Sequence, residues 1–153
     1  MRTPNPKFKT FGIQELFNRM DHLMGDQLTA ASISFRSRVD PPSLELTADP
    51  EQIEQVLINL LRNAIEAAQG KPDACVELRA ELDSRGRVEI EVEDNGPGIT
   101  EEAQEKIFVP FFTTKENGSG IGLSLSKEIM RLHRGSIHLS SKPGERTLFS
   151  LRF

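Results

Sequence analysis

The sequence contains no apolar run approaching the ~18 residues that a membrane-spanning helix requires. Its first ten residues, MRTPNPKFKT, hold no apolar core of the kind a signal peptide needs. The expectation is a soluble domain, with any membrane anchor of a longer parent outside these residues. Cysteine occurs once, at Cys75. That excludes an internal disulfide, fits a reducing compartment and leaves core packing as the expected role. There is no basic field: 19 Lys and Arg stand against 23 Asp and Glu, a net charge of -4, so a nucleic-acid partner is not expected. Internal repeats and low-complexity blocks are also absent, and 153 residues suit one domain rather than two. Two nucleotide-binding signatures fail. No G-x-x-x-x-G-K-[ST] run exists, and Gly118, Gly120 and Gly122 are spaced G-x-G-x-G where a dinucleotide fingerprint would place its third glycine at Leu123.

What is present is concentrated in residues 93–125. The first of two glycine clusters, Asp94-Asn95-Gly96-Pro97-Gly98, follows the alternating run Val88-Glu89-Ile90-Glu91-Val92, which reads as a strand with one buried face. An acidic residue therefore closes a strand beside glycines that permit close ligand approach. An ionised carboxylate only accepts hydrogen bonds, so a donor-bearing planar group such as the amino group of adenine would suit it. The second cluster, Gly118-Ser119-Gly120-Ile121-Gly122, opens onto apolar positions at Ile121, Leu123, Leu125, Ile129 and Leu132 that fit a helix over 121–133. Glycines before a helix N-terminus present amide donors to phosphate. Between the clusters, Phe108-Val109-Pro110-Phe111-Phe112 precedes Thr113, Thr114 and Lys115, a composition expected of a lid over a ligand.

The rest of the chain reads as scaffold. Residues 1–10 are proline-rich and polar, the pattern of a flexible arm, with order expected from Phe11. Ile13, Leu16, Phe17, Met20 and Leu23 recur at helical spacing up to a stop expected at Gly25. Ile33, Phe35 and Val39, then Leu44 and Leu46 beyond Pro41-Pro42, suggest a hairpin-like pair. A helix is expected over 50–69, with Asp49 as N-cap, Pro50 at the first position and Gln52 completing a capping box. Its apolar arc includes Ile53, Val56, Leu57, Leu60 and Leu61. Asn59 and Asn63 lie beside that arc, four residues apart and hence on one face. An asparagine offers a neutral oxygen that a magnesium ion accepts while keeping several waters; a solvated helix flank is the alternative. Residues 75–82 and 88–92 form a hairpin around Asp83-Ser84-Arg85-Gly86, residues 101–107 a short acidic helix, and residues 136–140 and 147–153 two closing strands. Arg131, His133, Arg134 and Gly135 mark a cationic helix end with a glycine stop.

In this order the motifs closely resemble the catalytic and ATP-binding domain of bacterial sensor histidine kinases, within the gyrase, chaperone, kinase and mismatch-repair ATPase superfamily. The resemblance covers residues 11–153. Residues 55–64 look like the family's asparagine box, 94–98 and 118–122 like its two glycine boxes, and 108–115 like its phenylalanine box. The fold it implies is α/β: a two-layer α/β sandwich of the Bergerat type, a mixed and mainly antiparallel sheet with helices on one face and an ATP lid. It implies ATP and Mg2+ as cofactors. The binding set would be Asn59, Arg62, Asn63, Glu66, Asp94, Gly96, Gly98, Ile99, Thr113, Thr114, Lys115, Gly118, Ser119, Gly120, Ile121, Gly122, Leu123 and Thr147. Within it Asn59, Asn63 and Lys115 would be catalytic and Asn63 the magnesium ligand. Thr147 would lie near the adenine, although Arg146 stands where the family commonly has glycine.

The resemblance also implies a choice of chemistry. Hydrolysing relatives carry a water-activating glutamate four residues before the magnesium asparagine; here that position is Asn59, and an amide is no useful base near neutral pH. Transfer of the γ-phosphoryl group to a histidine is expected instead. None of His22, His133 or His138 sits in the family's phosphoacceptor pattern, so structural or solvated roles are expected for all three. The partners implied are the dimerisation and phosphoacceptor domain of the same protein and, downstream, a response regulator receiver domain. The expected fragment is monomeric and cytoplasmic, without direct membrane contact. Two other readings are an ATP-driven clamp closing on nucleic acid, opposed by Asn59 and the acidic balance, and a nucleotide-independent interaction module, opposed by the intact motifs.

Overall fold

A single alternation runs through the centre of the molecule. In the strands Cys75–Leu82 (β4) and Val88–Asp94 (β5), Val76, Leu78, Ala80, Ile90 and Val92 are buried, while Glu77, Arg79, Glu89, Glu91 and Glu93 take the opposite face. Successive side chains of a strand point to opposite sides, so one such sheet face must be covered and the other can meet water. The computed structural model describes residues 3–112 and 122–153. In it β4 and β5 pair antiparallel at the middle of a five-stranded sheet of order β2-β4-β5-β7-β6. The other members are Ser34–Val39 (β2), Ser136–Lys142 (β6) and Arg146–Arg152 (β7). Only the β2–β4 pairing is parallel, which gives the mixed, mainly antiparallel sheet expected.

Helices cover the apolar face. Ile13–Ala30 (α1) packs on β2, Pro50–Ala68 (α2) on β4 and β5, and Gly122–Leu132 (α4) on β6. α2 is central, because it also packs against both other helices. Its Ile53, Val56, Leu57, Leu60 and Leu61 are wholly buried, each burial contributing roughly 1.5–3 kcal/mol. The short helix Glu101–Gln104 (α3) is capped by the Thr100 hydroxyl, which accepts from the Ala103 amide at 3.3 Å. It stops before the expected residue 107, and turns carry the chain on to Phe112.

Several expectations change at non-local contacts. α1 runs past Gly25 to Ala30 because Met24 and Leu28 are buried against the core, and that burial outweighs the ~1 kcal/mol that a mid-helix glycine costs. The segments around residues 33–46 form no hairpin. β2 joins the main sheet, whereas Glu45–Ala48 (β3) pairs antiparallel with Lys9–Gly12 (β1) in a separate two-stranded sheet. Residues 4–10 are likewise tied down, ahead of the order expected from Phe11. The Pro4 carbonyl accepts from Gln52 Nε2 at 2.8 Å, the Lys7 amide donates to Asp49 Oδ2 at 2.9 Å, and the Phe8 ring meets His133 edge-on at 5.3 Å.

Asp49 caps α2 as expected, its Oδ1 accepting from the Glu51 and Gln52 amides. The capping box does not close, since Gln52 reaches Pro4 and the Asp49 amide donates to His133 Nε2 at 3.0 Å. Burial alone would raise the Asp49 pKa; the amide donors of Lys7, Gln52 and Glu51 prevail and hold it below the ordinary carboxylate value. His133 Nδ1 faces the Ile129 carbonyl at 2.8 Å, so the proton sits on Nδ1 and the ring is bonded at both nitrogens. The residue that adopts the left-handed conformation after α4 is Arg134, with φ 59°, rather than Gly135.

Candidate functional site

The sheet ends in one polar row. Register aligns Val76 with Asp94, Asp94 with Thr147 and Thr147 with Ser141, across four strands. Asp94 is 5% exposed and lies on the helix-covered face, at a position where the same strand elsewhere carries Ile90 and Val92. An ionised carboxylate removed from water costs several kcal/mol unless hydrogen bonds replace its hydration. The Gly96 amide supplies one, donating to Asp94 Oδ1 at 2.9 Å. Thr147 is equally buried, and its hydroxyl lies 3.3 Å from that of Ser141. Arg146 does not intrude, because its side chain crosses to the outer face and donates to Glu93 Oε2 at 3.1 Å.

The loop after β5 fits against α2 and the β6–β7 turn with no room to spare. A Cβ added at Gly96 would stand 2.6 Å from the Ala67 carbonyl oxygen of α2. At Gly98, φ is +75° and a Cβ would meet the Lys142 carbonyl oxygen at 2.6 Å, so both conformation and space require glycine there. The Ile99 amide donates to Ser141 Oγ at 2.8 Å, and Ser141 Oγ donates to the Arg146 carbonyl at 3.0 Å. Ser141 is thus the pin between the glycine loop and Thr147. As a serine one residue past the strand expected over 136–140, it gave no sign of this in sequence.

α2 supplies the opposite wall. Asn59 and Asn63 are half-buried, Arg62 and Glu66 exposed, and the Ala67 carbonyl touches the Gly96 position. Spacings of four, seven and eight residues put Asn63, Glu66 and Ala67 on the helix face that begins at Asn59. Asn59 Nδ2 donates to the Gly122 carbonyl at 3.4 Å, joining α2 to the first turn of α4, where Leu123 is half-buried against the core. The predicted residues Asn59, Arg62, Asn63, Glu66, Asp94, Gly96, Gly98, Ile99, Gly122, Leu123 and Thr147 therefore fall on α2, the end of β5 with its loop, the start of α4 and the start of β7. Thr113, Thr114, Lys115, Gly118, Ser119, Gly120 and Ile121 lie outside the described residues. On the approach to them, Phe108 and Phe112 pack on the core and Lys127 Nζ sits 5.3 Å from the Phe108 ring centre. Phe111 is 75% exposed with φ +69°.

The donors on this face of α2 are amide and carboxylate oxygens, the hard ligands that suit magnesium. No group of three or more His, Cys, Asp or Glu side chains able to hold a metal exists among the described residues. The donor set therefore fits an ion that keeps waters and shares phosphate oxygens, and does not fit an all-protein cage. Elsewhere, burial and then the charge of Glu77 push the Cys75 thiol above its ordinary pKa, which disfavours the reactive thiolate. No helix among the described residues is long and apolar enough to cross a membrane.

The family model of histidine kinase-, DNA gyrase B-, and HSP90-like ATPases matches residues 48–153, more than half of the chain. The sensor histidine kinase ZraS of Klebsiella oxytoca is 33% identical over 150 residues, covering 98% of this chain and 32% of that protein. The chain spans a third or less of the length of the first curated relatives it matches. Among solved structures, the nucleotide-free catalytic domain of the histidine kinase ThkA superposes with a TM-score of 0.83 at 36% identity, covering 95% of both chains. ThkA has also been solved in complex with the response regulator TrrA, where the match has a TM-score of 0.78 at 34% identity and covers 96% of this chain and 42% of that one. Full-length ShkA in complex with AMPPNP gives 0.85 at 25% identity, covering 95% of this chain and 30% of that one.

Proposed function

Since the chain belongs to the family of histidine kinase-, DNA gyrase B-, and HSP90-like ATPases, we propose that it is the catalytic, ATP-binding part of a two-component sensor histidine kinase. It passes the γ-phosphoryl group of ATP to a histidine on a separate dimerisation and phosphoacceptor domain, from which a response regulator receiver domain takes it. The observation that carries this reading is the buried Asp94 carboxylate, aligned with Thr147 and facing the helix that bears Asn59 and Asn63. Its oxygens suit the amino group of adenine. The amide oxygen of Asn63, assisted by Asn59, suits magnesium held with the phosphates, which when bound would neutralise charge on the transferring group.

Phosphoryl transfer asks little covalent chemistry of the protein beyond positioning and charge neutralisation. Asn59 fits that role better than hydrolysis. Its amide donates to the Gly122 carbonyl and cannot take a proton from water at neutral pH. The three histidines also fit an acceptor located elsewhere. His22 is exposed on α1, His133 is bonded at both ring nitrogens, and His138 Nε2 pairs with the Ser136 hydroxyl at 2.8 Å. Lys115 and the second glycine box complete the phosphate side of the proposed site, and the setting is cytoplasmic, where ATP is held.

The test is phosphate release by the chain alone, measured beside binding of a non-hydrolysable ATP analogue. Binding with turnover below roughly one per minute is expected, slow against the ~1–10³ per second of typical enzymes. Steady hydrolysis accompanied by dimerisation would overturn the kinase reading in favour of an ATP-driven clamp.

A further inference from the structure

Resting on the adenine reading of Asp94, we propose that Asn95 is the positioning residue that fixes the Asp94 carboxylate and, through it, the preference for adenine over other bases. All four polar functions of Asn95 are engaged by one short segment, residues 71–75. Its amide donates to the Cys75 carbonyl at 3.3 Å, and its side-chain Oδ1 accepts from the Cys75 amide at 2.8 Å. Its Nδ2 donates to the Asp73 carbonyl at 2.8 Å, and its carbonyl accepts from Lys71 Nζ at 2.7 Å. The backbone amide and the side-chain Oδ1 of Asn95 together extend the β4–β5 ladder by one step beyond its last registered pair, Val76 with Asp94.

Only asparagine fits this arrangement among residues of its size. The group facing the Cys75 N–H must accept and the group facing the Asp73 carbonyl must donate, and both must lie in one short planar unit. Aspartate would set a carboxylate oxygen against the Asp73 carbonyl and add charge next to Asp94. Alanine would leave an N–H and a C=O without their partner.

The consequence for Asp94 is directional. Adjacent residues of a strand face opposite ways, so holding Asn95 toward the α2–β4 connection turns Asp94 toward α2. The chain then turns back at Gly96, whose amide bonds the Asp94 carboxylate. Asp94 is held before, beside and after: by its register with Val76 and Thr147, by the anchored Asn95 and by the Gly96 amide. Releasing Asn95 frees the strand end to rotate. A hydrogen bond to a charged acceptor weakens steeply with misalignment.

The experiment measures affinity for a non-hydrolysable ATP analogue and for its inosine counterpart, which carries a carbonyl where adenine carries its amino group. Wild type, Asp94→Ala, Asn95→Ala and the double variant are compared, with thermal unfolding recorded for each. The wild type is expected to prefer the adenine analogue and Asp94→Ala to erase that preference. Asn95→Ala should cut the preference by about tenfold while leaving inosine binding within about twofold, and should cost nothing further in the Asp94→Ala background. A merely structural role would lower both affinities together. If Asn95→Ala fails to fold, Asn95→Ser, which keeps one hydroxyl in the loop, takes its place with a smaller loss in the same direction. Full adenine preference in the folded Asn95 variant, alongside its loss in Asp94→Ala, overturns this inference and leaves the nucleotide reading intact. Absence of nucleotide binding in folded wild type overturns both.

Discussion

Glu93 and Asp94 are adjacent carboxylates on one strand, and they occupy opposite chemical worlds. Glu93 lies on the open face of the sheet, where Arg79 reaches it at 3.0 Å and Arg146 at 3.1 Å. Arg79 also meets Glu77 at 2.7 Å and Glu91 at 3.7 Å, while Arg152 meets Glu89 at 3.1 Å. These are partly exposed pairs in a mixed lattice, each worth about 0–1 kcal/mol. Asp94 lies on the covered face, among side chains that an apolar residue would match. A carboxylate on the open face is ordinary sheet chemistry. One on the covered face is costly to bury and here is held by the Gly96 amide, and that contrast separates scaffold from candidate site in this molecule.

The largest effect should come from removing the buried member. Asp94→Ala is expected to weaken binding of an ATP analogue by about a hundredfold or more, about 2.7 kcal/mol, in line with loss of a hydrogen bond to a charged group. Its unfolding midpoint should stay close to that of wild type, because losing the Gly96 amide's bond to the carboxylate offsets the relief of burying that carboxylate. A drop in both affinity and stability would make Asp94 a structural residue and erase the contrast. Next in size is Gly98→Ala, which places a Cβ against the Lys142 carbonyl at positive φ; it should cost roughly 1–3 kcal/mol in a denaturant titration.

Smaller effects belong to the open face. Burial raises the Glu91 pKa and the neighbouring Glu89, Glu81 and Glu93 charges add to this, with Arg79 opposing. A raised carboxylate pKa means that the associated stability is fully present below the ordinary glutamate value and is lost as pH rises through the raised one. Glu91→Gln should therefore flatten the pH dependence of stability in that window and leave neutral-pH stability unchanged or up by less than about 1 kcal/mol. Glu93→Gln should be the mildest change, costing no more than about 1 kcal/mol and leaving nucleotide affinity untouched. A tenfold loss of affinity in Glu93→Gln would show that the two faces are not separate in function.

Local pattern carried much of this into the sequence. The α2 helix, its Asp49 cap and the β4–β5 hairpin were legible because a cap, a period and a turn lie within a few residues of one another. What was not legible depends on partners far along the chain. The β1–β3 pair joins residues 9–12 to 45–48, the parallel β2–β4 pair joins 34–39 to 75–80, and α1 continues through Gly25 only because the core receives Met24 and Leu28. The site divides the same way. Asp94 was readable because a carboxylate at a strand end before glycines is unusual. Ser141 and Asn95 were not, since a strand serine and a turn asparagine look ordinary until their hydrogen bonds to residues 99 and 71–75 are drawn.

The most direct test of the account is a calorimetric titration of the chain with a non-hydrolysable ATP analogue, with and without magnesium, beside Asp94→Ala and Asn63→Ala. Magnesium-assisted binding is expected in the wild type, weakened by about a hundredfold or more in Asp94→Ala and stripped of its magnesium dependence in Asn63→Ala. A folded wild type that takes up no nucleotide would contradict it.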